Sequence, residues 1–125
     1  MSSAIVLIDK DLGYLYWLTL AVNNAGFEAL PATNVPDAVG LVAALHATIG
    51  GVFLDCSLRG APDFIANIRR SENCAKVISL VGSFQSPPLV QVDGICRKPV
   101  AADEQSKAEL MRTVHDILLP DSRAN

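Results

Sequence analysis

VFLDCSLRG, residues 52–60, opens as an apolar run and ends that run in a carboxylate, Asp55, instead of a turn residue. A short unbroken run of Val, Phe and Leu reads as a strand covered on both faces. A carboxylate at its end must be paired, protonated or bound to something. What Asp55 meets there depends on how the rest of the chain is folded around this strand.

Working outward, the chain alternates short apolar runs with amphipathic stretches. AIVLI (residues 4–8) is a second unbroken β-type run, and LYWLTLAVNNAG behind it carries Leu15, Leu18, Val22 and Ala25 at helical spacing with Gly26 as a stop. FEALPA reads as a short strand. NVPDAVGLVAAL follows as a helix with Asn34 at its cap, Pro36 in its first turn and Val35, Ala38, Val39, Val42 and Leu45 on one face. GGVFLD is the third strand, and DFIANIRR a helix with Phe64, Ile65 and Ile68 inward. KVISLV and GICR give strands four and five, and residues 104–119 a last helix with Leu110, Met111, Val114, Ile117 and Leu118 as its stripe. Residues 1–119 form one domain on this reading, and 120–125 a frayed tail.

Strands alternating with helices at this spacing predict a doubly wound α/β fold, a parallel sheet with helices on both faces. Such sheets display their functional groups beyond the carboxyl ends of the strands, near the point where strand order reverses. Asp9 ends the first strand, Asp55 ends the third and Lys98 follows the fifth. Three charges distant in sequence thus converge on one edge.

Composition narrows the classes. A chain of 125 residues, half of them hydrophobic, can bury a core without disulfides or a structural metal and leaves no room for a second, output domain. A formal net charge of −3 gives no basic surplus for phosphate backbones, so direct nucleic-acid binding is not expected. No apolar run is long enough to cross a bilayer and no signal-type segment opens the chain, so the expected location is the cytoplasm, without membrane insertion. Cys56, Cys74 and Cys96 lack CxxC spacing and have only His46 and His115 beside them in the composition, which reads as packing thiols.

LIDKD, VFLDCSL and ICRKPV resemble, in order and separation, the three signature segments of the response-regulator receiver domain of two-component signalling. The likeness spans nearly the whole chain and implies the flavodoxin-like five-stranded sheet of order 2-1-3-4-5. By resemblance Asp55 is the phosphoacceptor, taking a phosphoryl group from a histidine kinase or phosphotransfer protein, and a downstream protein target reads the change. Lys98, followed by Pro99, contacts the phosphoryl oxygens. Mg2+ is the implied cofactor, held by Asp9, Asp55 and the backbone carbonyl of Ser57. The chemistry is coherent: a carboxylate attacking a phosphoryl group is anion meeting anion, so a metal ion and an ammonium must neutralise the approach.

The departures from that pattern are specific. Where the family carries a second acid after strand one, this chain has Lys10, which at 4 Å would attract each neighbouring carboxylate by about 4 kcal/mol at an effective dielectric near 20 and so replace the metal. Asp11 is the candidate substitute ligand. The strand-four position that normally bears a hydroxyl is Val81, which cannot donate, with Ser83 two residues on. The strand-five aromatic is replaced by Ile95. The segment between strands four and five is short and holds Pro87 and Pro88, so the fourth helix of the family is expected to be shortened or missing, with Leu89 and Val90 filling the gap. Asp63 stands where a glycine often opens the third helix. Trp17 is read as a packing residue.

Other chemistries fit less well. DKDLG would repel a flavin phosphate, a haloacid-dehalogenase phosphatase wants a second Asp where Ser57 stands, and neither histidine lies near a strand end, so no nucleophilic triad is legible. An enzyme is not expected. The alternative to phosphoryl acceptance is a phosphorylation-independent pseudo-receiver, a protein-interaction module in which Lys10, Asp9, Asp55 and Lys98 form a self-neutralised cluster.

Overall fold

Unbroken apolar runs become the inner strands. The computed structural model describes residues 3–45, 48–71, 75–82, 85, 91–99 and 101–119. They form β1 (Ala4–Ile8), α1 (Leu12–Asn24), β2 (Glu28–Ala32), α2 (Val35–Ala44), β3 (Ile49–Leu54), α3 (Ala61–Ser71), β4 (Lys76–Val81), β5 (Gly94–Arg97) and α4 (Glu104–Leu118). All pairings are parallel, and the strand order is β2-β1-β3-β4-β5, as the flavodoxin-like reading requires.

Every residue of β1 is buried because its two faces serve two cores. Val6 and Ile8, with Val52 and Leu54 of β3, pack against Val35 and Ala38 of α2 and Phe64 and Ile68 of α3. Ile5 and Leu7, with Phe53, pack against Leu18 and Val22 of α1 and Val114 of α4. Trp17 is half-buried against this second core, as the packing reading expects.

Helix boundaries follow their capping chemistry. Asp11 Oδ1 accepts the Tyr14 amide and opens α1, Asn34 Oδ1 accepts the Asp37 amide and opens α2, and Asp103 Oδ1 accepts the Ser106 amide and opens α4. Beyond α1, Gly26 at φ +94° makes the left-handed turn into β2. Two inward assignments are corrected: Val39 and Leu45 are 49% and 40% exposed. Alanine at position 38 is the fully buried contact, which centres the buried stripe on Val35 and Ala38 and turns Val39 aside; Leu45 has already left the helix as its extended C-cap.

Among the described residues no helix lies between β4 and β5. The residues expected to carry the shortened helix and its fillers, including Ser83, Leu89 and Val90, lie outside the described residues, as do His46, Cys74 and the 120–125 tail. Cys56 and Cys96 are free thiols, the latter buried. No helix among the described residues is long and apolar enough to cross a membrane.

Candidate functional site

The sheet register builds the site. Ile8 pairs with Leu54, and one residue further the Asp55 amide donates to the Ile8 carbonyl at 3.0 Å, so Asp9 and Asp55 leave adjacent strands at the same level. Val81 pairs with Arg97, and the Lys98 amide donates to the Val81 carbonyl at 2.8 Å. The strand ends thus bring Asp9, Asp55 and Lys98 to one edge, two of them on the central strands.

Asp9 is fully buried, and its two oxygens have different partners. Oδ1 accepts the Asp11 amide at 2.8 Å. Oδ2 accepts no well-directed hydrogen bond; its compensation is the Lys98 ammonium, 2.7 Å away, on a side chain that is 22% exposed. Lys98 Nζ also stands 5.2 Å from the centroid of the Tyr14 ring. The Tyr14 hydroxyl meets the Cys96 thiol at 3.8 Å. Burial first, then the neighbouring Cys96, Asp9 and Asp11, pushes the phenol far above its ordinary range, so Tyr14 is a neutral ring under a cation.

Asp55 is half-buried. Its Oδ1 accepts both the Ser57 amide at 3.0 Å and the Ser57 hydroxyl at 2.7 Å, which folds the turn after β3. Its Oδ2 has no partner among the described residues. Asp55 lines a cleft of about 360 Å³ together with Cys56, Ser57, Ser79, Val81 and Gln85. In that wall Cys56 donates to the Leu54 carbonyl at 3.7 Å, and burial raises its thiol, with the Asp55 charge adding to the rise and Ser79 opposing it. Ser79, buried on β4, has no hydrogen bond of good geometry; the Cys56 thiol is the polar group beside it.

The remaining expected site residues serve other contacts than the ones expected of them. Lys10 is exposed and makes no ion pair with the described residues, so the cation on Asp9 is Lys98. Asp11 gives one carboxylate oxygen, Oδ1, to the α1 cap. Val81 is buried in the cleft wall and Ile95 is 40% exposed on β5. Among the described residues no three carboxylate, imidazole or thiol groups stand together as a metal cluster. Tyr14 and Ser79 were not singled out from sequence. The signal for Tyr14 is its place three residues after a capping Asp; for Ser79 it is the single hydroxyl in an otherwise apolar VISLV.

No family profile and no curated protein matches the chain in sequence. Solved structures do match in shape. A response regulator from Thermotoga maritima superposes with a TM-score of 0.70 at 18% identity, covering 94% of this chain and 98% of its own. A receiver domain protein from Methanospirillum hungatei gives 0.69 at 14% identity with both chains covered in full (100% and 100%). The fold is that of a response-regulator receiver domain. A third receiver, from Burkholderia phymatum, covers 94% of this chain and 95% of its own at a TM-score of 0.67 and 18% identity. At these identities the likeness concerns the path of the backbone. Within the receiver fold, the edge built by Asp9, Asp55 and Lys98 is the carboxyl edge of the sheet at its switch point, between β1 and β3.

Proposed function

We propose that this receiver acts in a two-component phosphorelay, with Asp55 accepting a phosphoryl group from a histidine kinase or phosphotransfer protein and a protein target reading the result. The observation that carries the reading is the unequal engagement of the Asp55 oxygens at the wall of a cleft: Oδ1 is fixed by Ser57, while Oδ2 has no partner among the described residues. A fixed carboxylate with one free oxygen is oriented for in-line attack. Oδ2 forms the new bond to phosphorus as the P–N bond of the donor phosphohistidine breaks, and the departing imidazole keeps the electron pair and takes up a proton. Lys98 stands in ion contact with Asp9 and has three N–H donors, which leaves donors for the phosphoryl oxygens.

Mg2+ in a receiver neutralises the incoming phosphoryl charge. The donor set here does not fit it: Asp9 is taken on both oxygens, Asp11 caps α1, Lys10 stands where a second acid would, and no three-group cluster forms among the described residues. The same observation favours a second reading, a phosphorylation-independent interaction module in which the buried Asp9 charge is already compensated at rest by Lys98.

Intact-mass analysis after incubation with acetyl phosphate, with and without Mg2+, separates the two. A labile phosphoryl adduct that is lost in Asp55→Asn is the expected result. No adduct under either condition, and none from a phosphorylated phosphotransfer protein, leaves the interaction module as the function.

A further inference from the structure

Four residues at the carboxyl edge close into a circuit. The Asp11 amide donates to Asp9 Oδ1 at 2.8 Å, and the Tyr14 amide donates to Asp11 Oδ1 at 3.2 Å. The Tyr14 ring then lies 5.2 Å beneath the Lys98 ammonium, and that ammonium returns to Asp9 Oδ2 at 2.7 Å. Each contact fixes the next. The cap orients the first turn of α1, the turn presents the Tyr14 ring, the ring and the carboxylate hold the cation between them, and the cation compensates a fully buried charge.

We propose that Lys98, seated on Tyr14, is the built-in counter-ion of Asp9 and takes the place that the receiver fold gives to a divalent metal, with Tyr14 as its positioning residue. A divalent ion at Asp9 would have to displace an ammonium already in contact, against repulsion between like charges at short range. It would gain little in return. Mg2+ asks for near-octahedral oxygen ligands at close to 2 Å, whereas Asp11 gives one of its two oxygens to its cap and Lys10 adds a second positive charge. Tyr14 suits the seat because it is buried, its hydroxyl is anchored at Cys96, and it stays uncharged, so its face offers the cation a quadrupole without a competing anion. The proposal does not rest on Asp55 being a phosphoryl acceptor, because everything in its test is read on the unphosphorylated protein.

The test is an NMR titration of the full chain with Mg2+ to about 20 mM, well above the weak end of carboxylate metal sites. It follows the side-chain carboxyl carbons of Asp9 and Asp55 and the ε-methylene of Lys98. In the unaltered protein no saturable shift at Asp9 is expected; a saturable one overturns the proposal. In Lys98→Met the same titration is expected to become saturable at Asp9, at least tenfold tighter than in the parent. A folded Lys98→Met protein as unresponsive as the parent also overturns it, since something other than Lys98 then closes the site. The seat has its own readout: the ring-current shift of the Lys98 ε-protons is expected in the parent, kept in Tyr14→Phe and lost in Tyr14→Leu. Its absence in the parent refutes the role of Tyr14. The two measurements on the parent keep the proposal refutable even where Lys98→Met fails to fold.

Discussion

Replacing Lys98 by Met removes the ammonium and keeps most of the stem, so it isolates the charge on Asp9. Unit charges 2.7 Å apart attract by about 6 kcal/mol at an effective dielectric near 20. The desolvation of both groups offsets much of that, so the pair adds little net stability compared with two neutral groups of the same shape. Breaking it from one side is different. Asp9 is fully buried and is left with one hydrogen bond, from the Asp11 amide. Removing one partner of such a pair costs roughly 3–5 kcal/mol. The reverse change, Asp9→Asn, costs less, about 1–2 kcal/mol, because the partly exposed Lys98 can extend its stem and hydrate its head. The double variant, with no charge to strand, should return to within about 2 kcal/mol of the parent. Urea unfolding followed by far-UV circular dichroism and Trp17 fluorescence reads all four proteins; for Lys98→Met the midpoint should fall by roughly 1–3 M. If both single variants and the double variant all lie within about 0.5 kcal/mol of the parent, the pair is screened by solvent and the argument from a desolvated Asp9 fails.

Ser79→Ala removes a buried hydroxyl that has no well-directed partner and should stabilise the fold by about 1 kcal/mol in urea unfolding; a loss of that size instead would mean that the contact with Cys56 is a working hydrogen bond. Asn34→Ala deletes the α2 cap, in which Asn34 Oδ1 holds the Asp37 amide at 2.8 Å, and should cost about 1 kcal/mol with faster amide exchange confined to the first turn of α2. The hydrogen bonds from Ser106 hold the Asp103 carboxyl below its ordinary range, so its contribution is present above the unfolded-state value, near 3.8, and fades as pH falls through the lower folded value. The Ser106 amide resonance should therefore report loosening of the α4 cap in that acid window, and Asp103→Asn should flatten the response.

The sheet was legible because inner parallel strands are apolar on both faces, and AIVLI and VFL have no other use in a chain of this length. The convergence of Asp9, Asp55 and Lys98 was legible for the same reason, since a strand end is a place that the run itself marks. What sequence left open was which lysine serves Asp9. Lys10 and Lys98 both follow a strand, and the choice is made by a local turn: Asp9 Oδ1 captures the Asp11 amide and Asp11 captures that of Tyr14. The residue between the two captures, Lys10, is exposed. Helical phase in α2 was ambiguous because VPDAVGLVAA is apolar nearly all round, so Val39 and Val42 compete for one stripe. Tyr14 reads as one more aromatic on α1 until Lys98, 84 positions away in the numbering, is brought over it by β5.

The departures from the usual receiver pattern act in one direction. Val81 cannot donate a hydrogen bond, Ile95 offers no aromatic ring and stands 40% exposed, and Lys10 makes no ion pair with the described residues. Val81 and Ile95 leave no hydroxyl and no ring to move in response to a new phosphoryl group, and Lys10 leaves no second acid. None touches the circuit of Asp9, Asp11, Tyr14 and Lys98 that holds the resting edge. Under the phosphoacceptor reading, the added negative charge would then be felt first by Lys98, whose ammonium would be shared between Asp9 and the phosphoryl oxygens. Strengthening one contact weakens the other, and the backbone that follows Lys98 is the connection carrying Pro99, Ala101 and Ala102, which with Trp17 lines a cleft of about 460 Å³. A response in this protein would thus travel by charge into the β5–α4 connection, not by a hydroxyl drawn in from β4. Trp17 emission is the probe placed to see it, and Lys98→Met should silence that change while leaving Asp55 in place.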